Sequence, residues 1–459
     1  MKSLQQKNSI KSNLQRNKMR TNIFSIAMIC FLFMSCKKEK AIEVTPNDYH
    51  ASIDNVTQIM VHDIFSPTVA SRIFVYPNIA AFEVLAQNSK MCKSLQKQLK
   101  GLDSIPVLDA KAGVNKNVAA LVAHMEVSKA LVFSEDLVEK FRDSLYQKWS
   151  DENATEFEAS KDYGLKVAER IKKWMGKDNY KETRTMPKFS VYANQSARWQ
   201  PTPPAYMDGV EPHWGKIRTM VLDSASQFKP VPALPFSLEK NSTFFKQVQE
   251  VYDISKEMAK KGDDSDEIAT AKFWDCNPYV SVNQGHMMFA KKKISPGAHW
   301  MGIVKIACKK SKADFEKTVC AYTQTSIGLF EAFISCWDEK YRSNVVRPET
   351  VINQNIDENW KPLLQTPPFP EYSSGHSVAS TCAAIILTSV FGDNFSYTDD
   401  TELQFGLPAR KFKSFKDAAK EAAMSRFYGG IHYRASIVNG MAQGQNVGDF
   451  IVKKIKMIQ

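Results

Sequence analysis

Ile327-Gly328-Leu329-Phe330-Glu331-Ala332-Phe333-Ile334-Ser335-Cys336-Trp337-Asp338-Glu339-Lys340-Tyr341 decides the fold class. Ile327, Phe330, Ile334, Trp337 and Tyr341 recur at alternating three- and four-residue steps, the spacing of a helix that buries one stripe. Lys340 follows Trp337 by three positions, so its ammonium lies beside the indole near the end of that helix. Similar apolar periodicity runs through residues 119–132, 159–174, 242–261 and 315–341. No run of alternating β-branched residues is long enough for a core sheet, and no repeat is present. The sequence predicts an all-α protein built as a large helical bundle.

Working outward from Lys340, three short blocks fall at helix ends. Arg347-Pro348 follows it after six intervening residues, and a residue before proline is disfavoured in helix, so Arg347 projects from a loop. Ser373-Ser374-Gly375-His376 offers a serine cap for the apolar run that ends at Phe391 and is closed by Gly392. Ser425-Arg426 ends an alanine-rich helix, Gly429-Gly430 breaks it, and His432 is expected to open the next. Taken singly, such residues are ordinary: a solvated charge, a cap, a core imidazole. Their joint occurrence at helix termini carries the functional signal. A helix N-terminus after Ser374 presents free N–H groups, and Gly375 allows close approach. Arg347 and Arg426 present forked donors, and Lys340 adds a point charge. Unit cations about 5 Å apart repel by roughly 3 kcal/mol at an effective dielectric near 20, so the set calls for an anion of charge about −2. A tetrahedral oxyanion such as phosphate or vanadate meets that requirement.

The remaining composition sets limits. The chain has 459 residues, 43% hydrophobic and 24% charged, with a net charge of +12. Six cations (Lys2, Lys7, Lys11, Arg16, Lys18, Arg20) precede residue 21 with no acid among them, and without them the net charge is +6. No basic run interleaved with aromatics is present, so no nucleic-acid partner is expected. Residues 23–34 are mostly apolar, too short to span a bilayer but suited to a signal peptide. Cys36 after Phe33-Met34-Ser35 resembles a lipobox, which implies an exported bacterial lipoprotein, periplasmic or outer-membrane-anchored through lipid on Cys36. Met19 is an alternative start. The expected organisation is a leader over 1–35, a tether over 36–50, a helical region over 51–186, a proline-rich connection over 187–236 and a second helical region over 237–459. Cys92, Cys276, Cys308, Cys320, Cys336 and Cys382 form no C-x-x-C pair, and both buried thiols and disulfides stay open. His286 and His299 are close in sequence without a matching acidic pair, which favours structural roles. His50, His62, His124 and His213 belong to no constellation.

The three blocks resemble the shared signature of the type-2 phosphatidic acid phosphatases and the vanadium-dependent haloperoxidases, K-x6-R-P, P-S-G-H and S-R-x5-H. The resemblance implies that Lys340, Arg347, Arg426, Ser374 and the Gly375 amide hold the equatorial oxygens of bound vanadate or phosphate. It implies His376 as acid–base residue, and His432 as the axial ligand to vanadium or the nucleophile toward phosphorus. Two positions depart from the pattern. Ser373 replaces the proline of P-S-G-H, and Ser436 stands where an aspartate often follows the last histidine, removing a partner expected to orient His432.

Within that superfamily several features resemble the haloperoxidase branch: a large N-terminal helical region, the absence of an 18-residue apolar span, and Pro367-Pro368-Phe369-Pro370-Glu371-Tyr372 ahead of the histidine block. Trp337, Phe369 and Tyr279 resemble aromatic positions of a halide pocket. The expectation is a vanadate-dependent enzyme that oxidises iodide or bromide with hydrogen peroxide to hypohalous acid, with phosphate able to compete. The organic acceptor is open, and the branch often forms homodimers. A soluble phosphomonoesterase working through a phosphohistidine is the alternative within the fold, and a non-catalytic oxyanion-binding lipoprotein is the alternative from another class.

Overall fold

The computed structural model describes residues 40–458 except 110, 193, 279, 285, 286 and 291. Among the described residues the chain forms thirteen α-helices and two short antiparallel hairpins. The N-terminal part contains α1 (Pro46–Asp63), α2 (Pro67–Ala86), α3 (Lys116–Lys129), α4 (Glu135–Met175) and the single turn α5 (Tyr180–Thr183). The C-terminal part contains α6 (Thr243–Lys261), α7 (Asp266–Phe273), α8 (Pro296–Ser311), α9 (Phe315–Ser343), α10 (Pro348–Asn355), α11 (Gly375–Phe391), α12 (Phe415–Tyr428) and α13 (Arg434–Lys454). Strands β1 (Ser281–Gln284) and β2 (Met287–Ala290) pair with each other, as do β3 (Tyr397–Asp399) and β4 (Arg410–Phe412). The all-α class predicted from periodicity is the observed one.

Two helices join the halves. All twenty residues of α2 are buried, and it packs on α3 and on α9. By length and mean hydropathy α2 is apolar enough to cross a membrane, which corrects the expectation that no 18-residue apolar span exists. Its setting is a protein core instead. The charges it carries are paired there: Arg72 Nε donates to Asp178 Oδ2 at 2.7 Å, and Glu83 accepts from Ser94 Oγ and Leu95 N at 2.6 Å each. The predicted tether also ends earlier than expected, because Ile42 and Val44 are already buried in the core. Leader residues 1–35 and Cys36 lie outside the described residues.

Among its described residues the proline-rich connection has no helix beyond a short 3-10 turn (Trp214–Lys216), since proline lacks the donor a helix needs. It is held to the bundle by α9. Glu331, wholly buried, accepts from the backbone N–H groups of Met220, Val221 at 3.1 Å and Leu222 at 3.2 Å. Burial pushes its carboxyl up to about 7, against those three donors. The carbonyl of Val210 accepts from Trp337 Nε1 at 3.2 Å and Tyr341 Oη at 2.7 Å. Thus the apolar stripe read in α9 also organises a segment with no regular structure of its own.

Helix α11 lies between α9, α12 and α13. Its approach to α13 depends on a glycine stripe, Gly440, Gly444 and Gly448, spaced by one turn. A Cβ on Gly444 would sit 2.3 Å from the Val378 carbonyl oxygen, and one on Gly440 would sit 3.1 Å from the Ser374 carbonyl oxygen. Backbone meets backbone there, so the strain cannot be relieved by turning a side chain. Gly444→Ala is expected to cost about 1–3 kcal/mol through overpacking. It should lower the thermal midpoint and weaken oxyanion binding, because the N-terminus of α11 moves with the contact; an unchanged melt would contradict the stripe's role.

Candidate active site

Five segments meet around one cleft, whose wall includes Cys276, Trp337, Phe369, Gly375, His376, Arg426 and His432, with Arg347 beside His432 and Lys340 beside Phe369. Each enters at a chain feature that explains its position. Asn344 in left-handed geometry (φ 50°) ends α9 just after Lys340. Arg347 is the N-cap of α10, with Pro348 at the first helical position. Ser374 caps α11, accepting from Ser377 N at 3.4 Å, so Gly375 opens that helix. Arg426 is in the last turn of α12, and His432 lies in the loop before α13, whose N-cap is Tyr433. His432 therefore precedes the helix it was expected to open.

The cations are buried and only partly bonded. Arg347 donates from Nε to the Phe369 carbonyl at 3.0 Å and from Nη1 to the Ile431 carbonyl at 2.8 Å, while Nη2 has no partner. Arg426 Nη1 donates to the Trp274 carbonyl at 2.8 Å, and Nε has no partner. Burial lowers both guanidinium pKa values, that of Arg347 to about 10. Lys340 differs. Its ammonium donates to the carbonyls of Pro370 at 3.0 Å, Glu371 at 3.1 Å and Ser373 at 2.5 Å. All three protons are engaged, so Lys340 offers the cleft charge instead of a hydrogen bond. Burial, and after it Arg347, pull its pKa down.

The two histidines are set in the same tautomer by different partners. His432 Nδ1 lies 2.7 Å from Glu371 Oε1, while Nε2 faces Arg347 Nη1 at 3.1 Å. A carboxylate accepts and a guanidinium donates, so Nδ1 carries the hydrogen and Nε2 keeps a lone pair. Burial, reinforced by Arg347 and Lys340, holds His432 well below the ordinary imidazole range and neutral at pH 7. His376 Nε2 has no partner. Burial and then Arg426 depress its pKa strongly, and a hydrogen bond to the Trp274 carbonyl opposes them. That carbonyl takes the Nδ1 hydrogen, which leaves Nε2 as a free base facing the cleft.

Glu371 is the functional residue that sequence reasoning missed. Ser436 stands where an orienting aspartate was looked for, and its Oγ is 3.4 Å from His432 Nδ1. The carboxylate comes instead from Glu371, which is buried and also accepts from Tyr433 N at 3.0 Å. Burial raises its carboxyl, against the pull of Arg347 and Lys340. The residue stood within the quoted proline-rich approach, but 61 positions from His432. Ser373, at the other departure, donates from Oγ to Gln443 Oε1 at 2.6 Å and so ties the loop to α13.

The aromatic expectations fare unequally. Trp337 and Phe369 lie side by side, ring centroids 4.9 Å apart, on the cleft wall. The indole N–H points away to Val210, so Trp337 presents only its ring. Tyr279 lies outside the described residues. Cys92, Cys276, Cys308, Cys320, Cys336 and Cys382 are all free and buried.

The unpartnered donors suit a vanadate or phosphate ion. Arg347 Nη2 and Arg426 Nε are buried donors without acceptors, a costly state unless an acceptor occupies the cleft. Burial pulls the pKa values of all three cations down, a cost that a bound anion would relieve.

A family model described as the VCPO second helical-bundle domain matches residues 321–459, which span all three blocks. A crystal structure described as that of the first bacterial vanadium-dependent iodoperoxidase aligns at 60% identity and a TM-score of 0.89, over 92% of this chain and 99% of its own. Holo- and apo-type bacterial vanadium-dependent chloroperoxidases align at 17% and 19% identity with TM-scores of 0.62 and 0.64, each over 85% of this chain and over 93% and 94% of their own, a likeness of fold. No curated protein matches the chain significantly.

Glu371→Gln is expected to weaken vanadate binding about 10- to 100-fold, because the partner that fixes the His432 tautomer is lost. Titration of the chain with orthovanadate reads it, and undiminished affinity would contradict the role. The same titration across pH should show no loss near 6.5. A depressed imidazole stays neutral as pH falls through that value, whereas an ordinary one would gain a proton at Nε2 and lose its lone pair.

Proposed function

This chain belongs to the vanadium-dependent haloperoxidases, and on that premise we propose that it oxidises iodide, and bromide less readily, with hydrogen peroxide. One observation carries the reading: His376, Arg426 and His432 wall a single cleft, where Arg426 Nε and His376 Nε2 lack partners, and Arg347, with its own unpartnered Nη2, meets His432 Nε2. Vanadate is the cofactor, and when bound it supplies a Lewis-acid centre without needing a change of oxidation state.

The chain's own groups then have distinct tasks. His432 Nε2 would hold the vanadium, kept available by Glu371. Arg347 Nη2, Arg426 Nε and the Gly375 amide would hold oxygens, while Lys340 adds charge from behind its three carbonyls. His376 Nε2 would accept a proton from incoming hydrogen peroxide. Arg426 disfavours the resulting imidazolium, so the proton is returned easily when the product leaves. The Trp337 and Phe369 rings form a weakly polar wall suited to a large polarisable anion, which supports iodide. The 60% identity to an iodoperoxidase supports the same choice.

We also propose export as a lipoprotein through Cys36. Its support is the basic start, the apolar stretch 23–34 and the lipobox-like Phe33-Met34-Ser35-Cys36.

After vanadate loading, iodide oxidation by hydrogen peroxide should appear and be suppressed by excess phosphate. His376→Ala should retain vanadate yet lose turnover about 10²- to 10⁴-fold, whereas His432→Ala should lose the vanadate itself. Brisk hydrolysis of p-nitrophenyl phosphate with no halide oxidation would overturn the assignment in favour of a phosphatase. Radiolabelled palmitate should enter the wild-type chain and not Cys36→Ala; equal labelling would refute the anchor.

A further inference from the structure

We propose that Cys276, His299 and Glu402 form a site for one zinc-class divalent cation beside the oxyanion cleft. The sequence offered His299 no acidic partners nearby, but the fold brings two from about a hundred residues away. Cys276 Sγ, a His299 ring nitrogen and a Glu402 carboxylate oxygen all lie within 4.8 Å of one another. Cys276 Sγ is 3.4 Å from His299 Nδ1, and Glu402 Oε1 is 3.3 Å from the same nitrogen. Tetrahedral zinc with bonds of about 2.0–2.3 Å has ligand–ligand edges of roughly 3.3–3.7 Å. Two edges are therefore already in place.

Glu402 adds a sign of an incomplete shell. The residue is 5% exposed, and its Oε1 accepts no hydrogen bond, having only the 3.3 Å contact with His299 Nδ1. A buried carboxylate oxygen left so is costly, and a cation at the centre of the three groups would remove that cost.

The surroundings fix His299 for ligation. Asp399 Oδ2 and Thr401 Oγ1 each lie 2.9 Å from Nε2, and Thr401 donates through both N and Oγ1 to Asp399 Oδ1. Nε2 is thus the protonated nitrogen when the ring is neutral, and the Nδ1 lone pair points at Cys276 and Glu402. This carboxylate–histidine arrangement is the one that orients zinc-bound imidazoles. Trp274 stacks on the ring at 4.4 Å and 18°, holding its plane. Thiolate and imidazole together select zinc over the hard cations magnesium and calcium.

The site would brace the active centre. The Trp274 carbonyl positions Arg426, and Cys276 lines the cleft. A cation on Cys276 would pin this segment from behind.

The test uses the full-length chain, incubated with equimolar Zn²⁺, desalted and analysed for zinc and vanadium separately. About one zinc per chain is expected, falling by about tenfold or more in Cys276→Ser and in Glu402→Gln. Co²⁺ loading should give a near-ultraviolet thiolate-to-cobalt band that Cys276→Ser abolishes. If Cys276→Ser does not fold, Glu402→Gln and zinc protection of Cys276 against iodoacetamide decide the matter. Background zinc in the wild type, zinc retained equally by the variants, or cobalt binding without the thiolate band would overturn the proposal. None of those results touches the haloperoxidase reading, which is judged by vanadium and halide oxidation.

Discussion

Repulsion among three buried cations is the constraint around which the C-terminal half is arranged. Lys340, Arg347 and Arg426 are all essentially inaccessible to solvent. Cations about 5 Å apart repel by roughly 3 kcal/mol per pair at an effective dielectric near 20, and each has also lost its hydration. The chain answers with carbonyl oxygens: three on Lys340, two on Arg347 and one on Arg426. Glu371, its carboxyl raised by burial, bonds His432 among them. The two guanidinium nitrogens without partners mark where an anion completes the set.

Those carbonyls belong largely to the segment 369–373, which Pro370, with Pro367 and Pro368 before it, keeps out of helix. Proline thus does more than break structure here: irregular backbone leaves its carbonyls free to face cations. Glu371 occupies the same segment and sets the tautomer of His432. A single stretch therefore steadies Lys340, bonds Arg347 and orients the His432 imidazole. The glycine stripe of α13 and the cap at Ser374 then bring the α11 N-terminus to the same point.

Much of this was legible before any coordinates. The stripe in α9, the serine cap at 374, the stop at Gly392 and the break at Gly429-Gly430 are local chemistry, expressed within a turn or two of sequence. Helices expected over 242–261 and 315–341 are observed as Thr243–Lys261 and Phe315–Ser343. What stayed hidden depends on long-range contact. Nothing near His432 shows that Glu371 would replace the missing aspartate, and nothing near His299 announces Asp399 or Glu402. The saturation of Lys340 by three carbonyls is equally invisible, since any lysine beside a phosphate motif reads as a donor. The apolar helix α2 was overlooked because Arg72 and Glu83 interrupt it; Arg72 is paired with Asp178, 106 positions away, and Glu83 is hydrogen-bonded by Ser94 and Leu95.

The central claim is that this cleft binds one vanadate through the Nε2 of His432. X-ray absorption at the vanadium K edge of the vanadate-loaded chain tests it most directly. The account predicts an imidazole nitrogen in the vanadium shell that disappears in His432→Ala; an all-oxygen shell in the wild type, or an unchanged nitrogen signal in the variant, would contradict it.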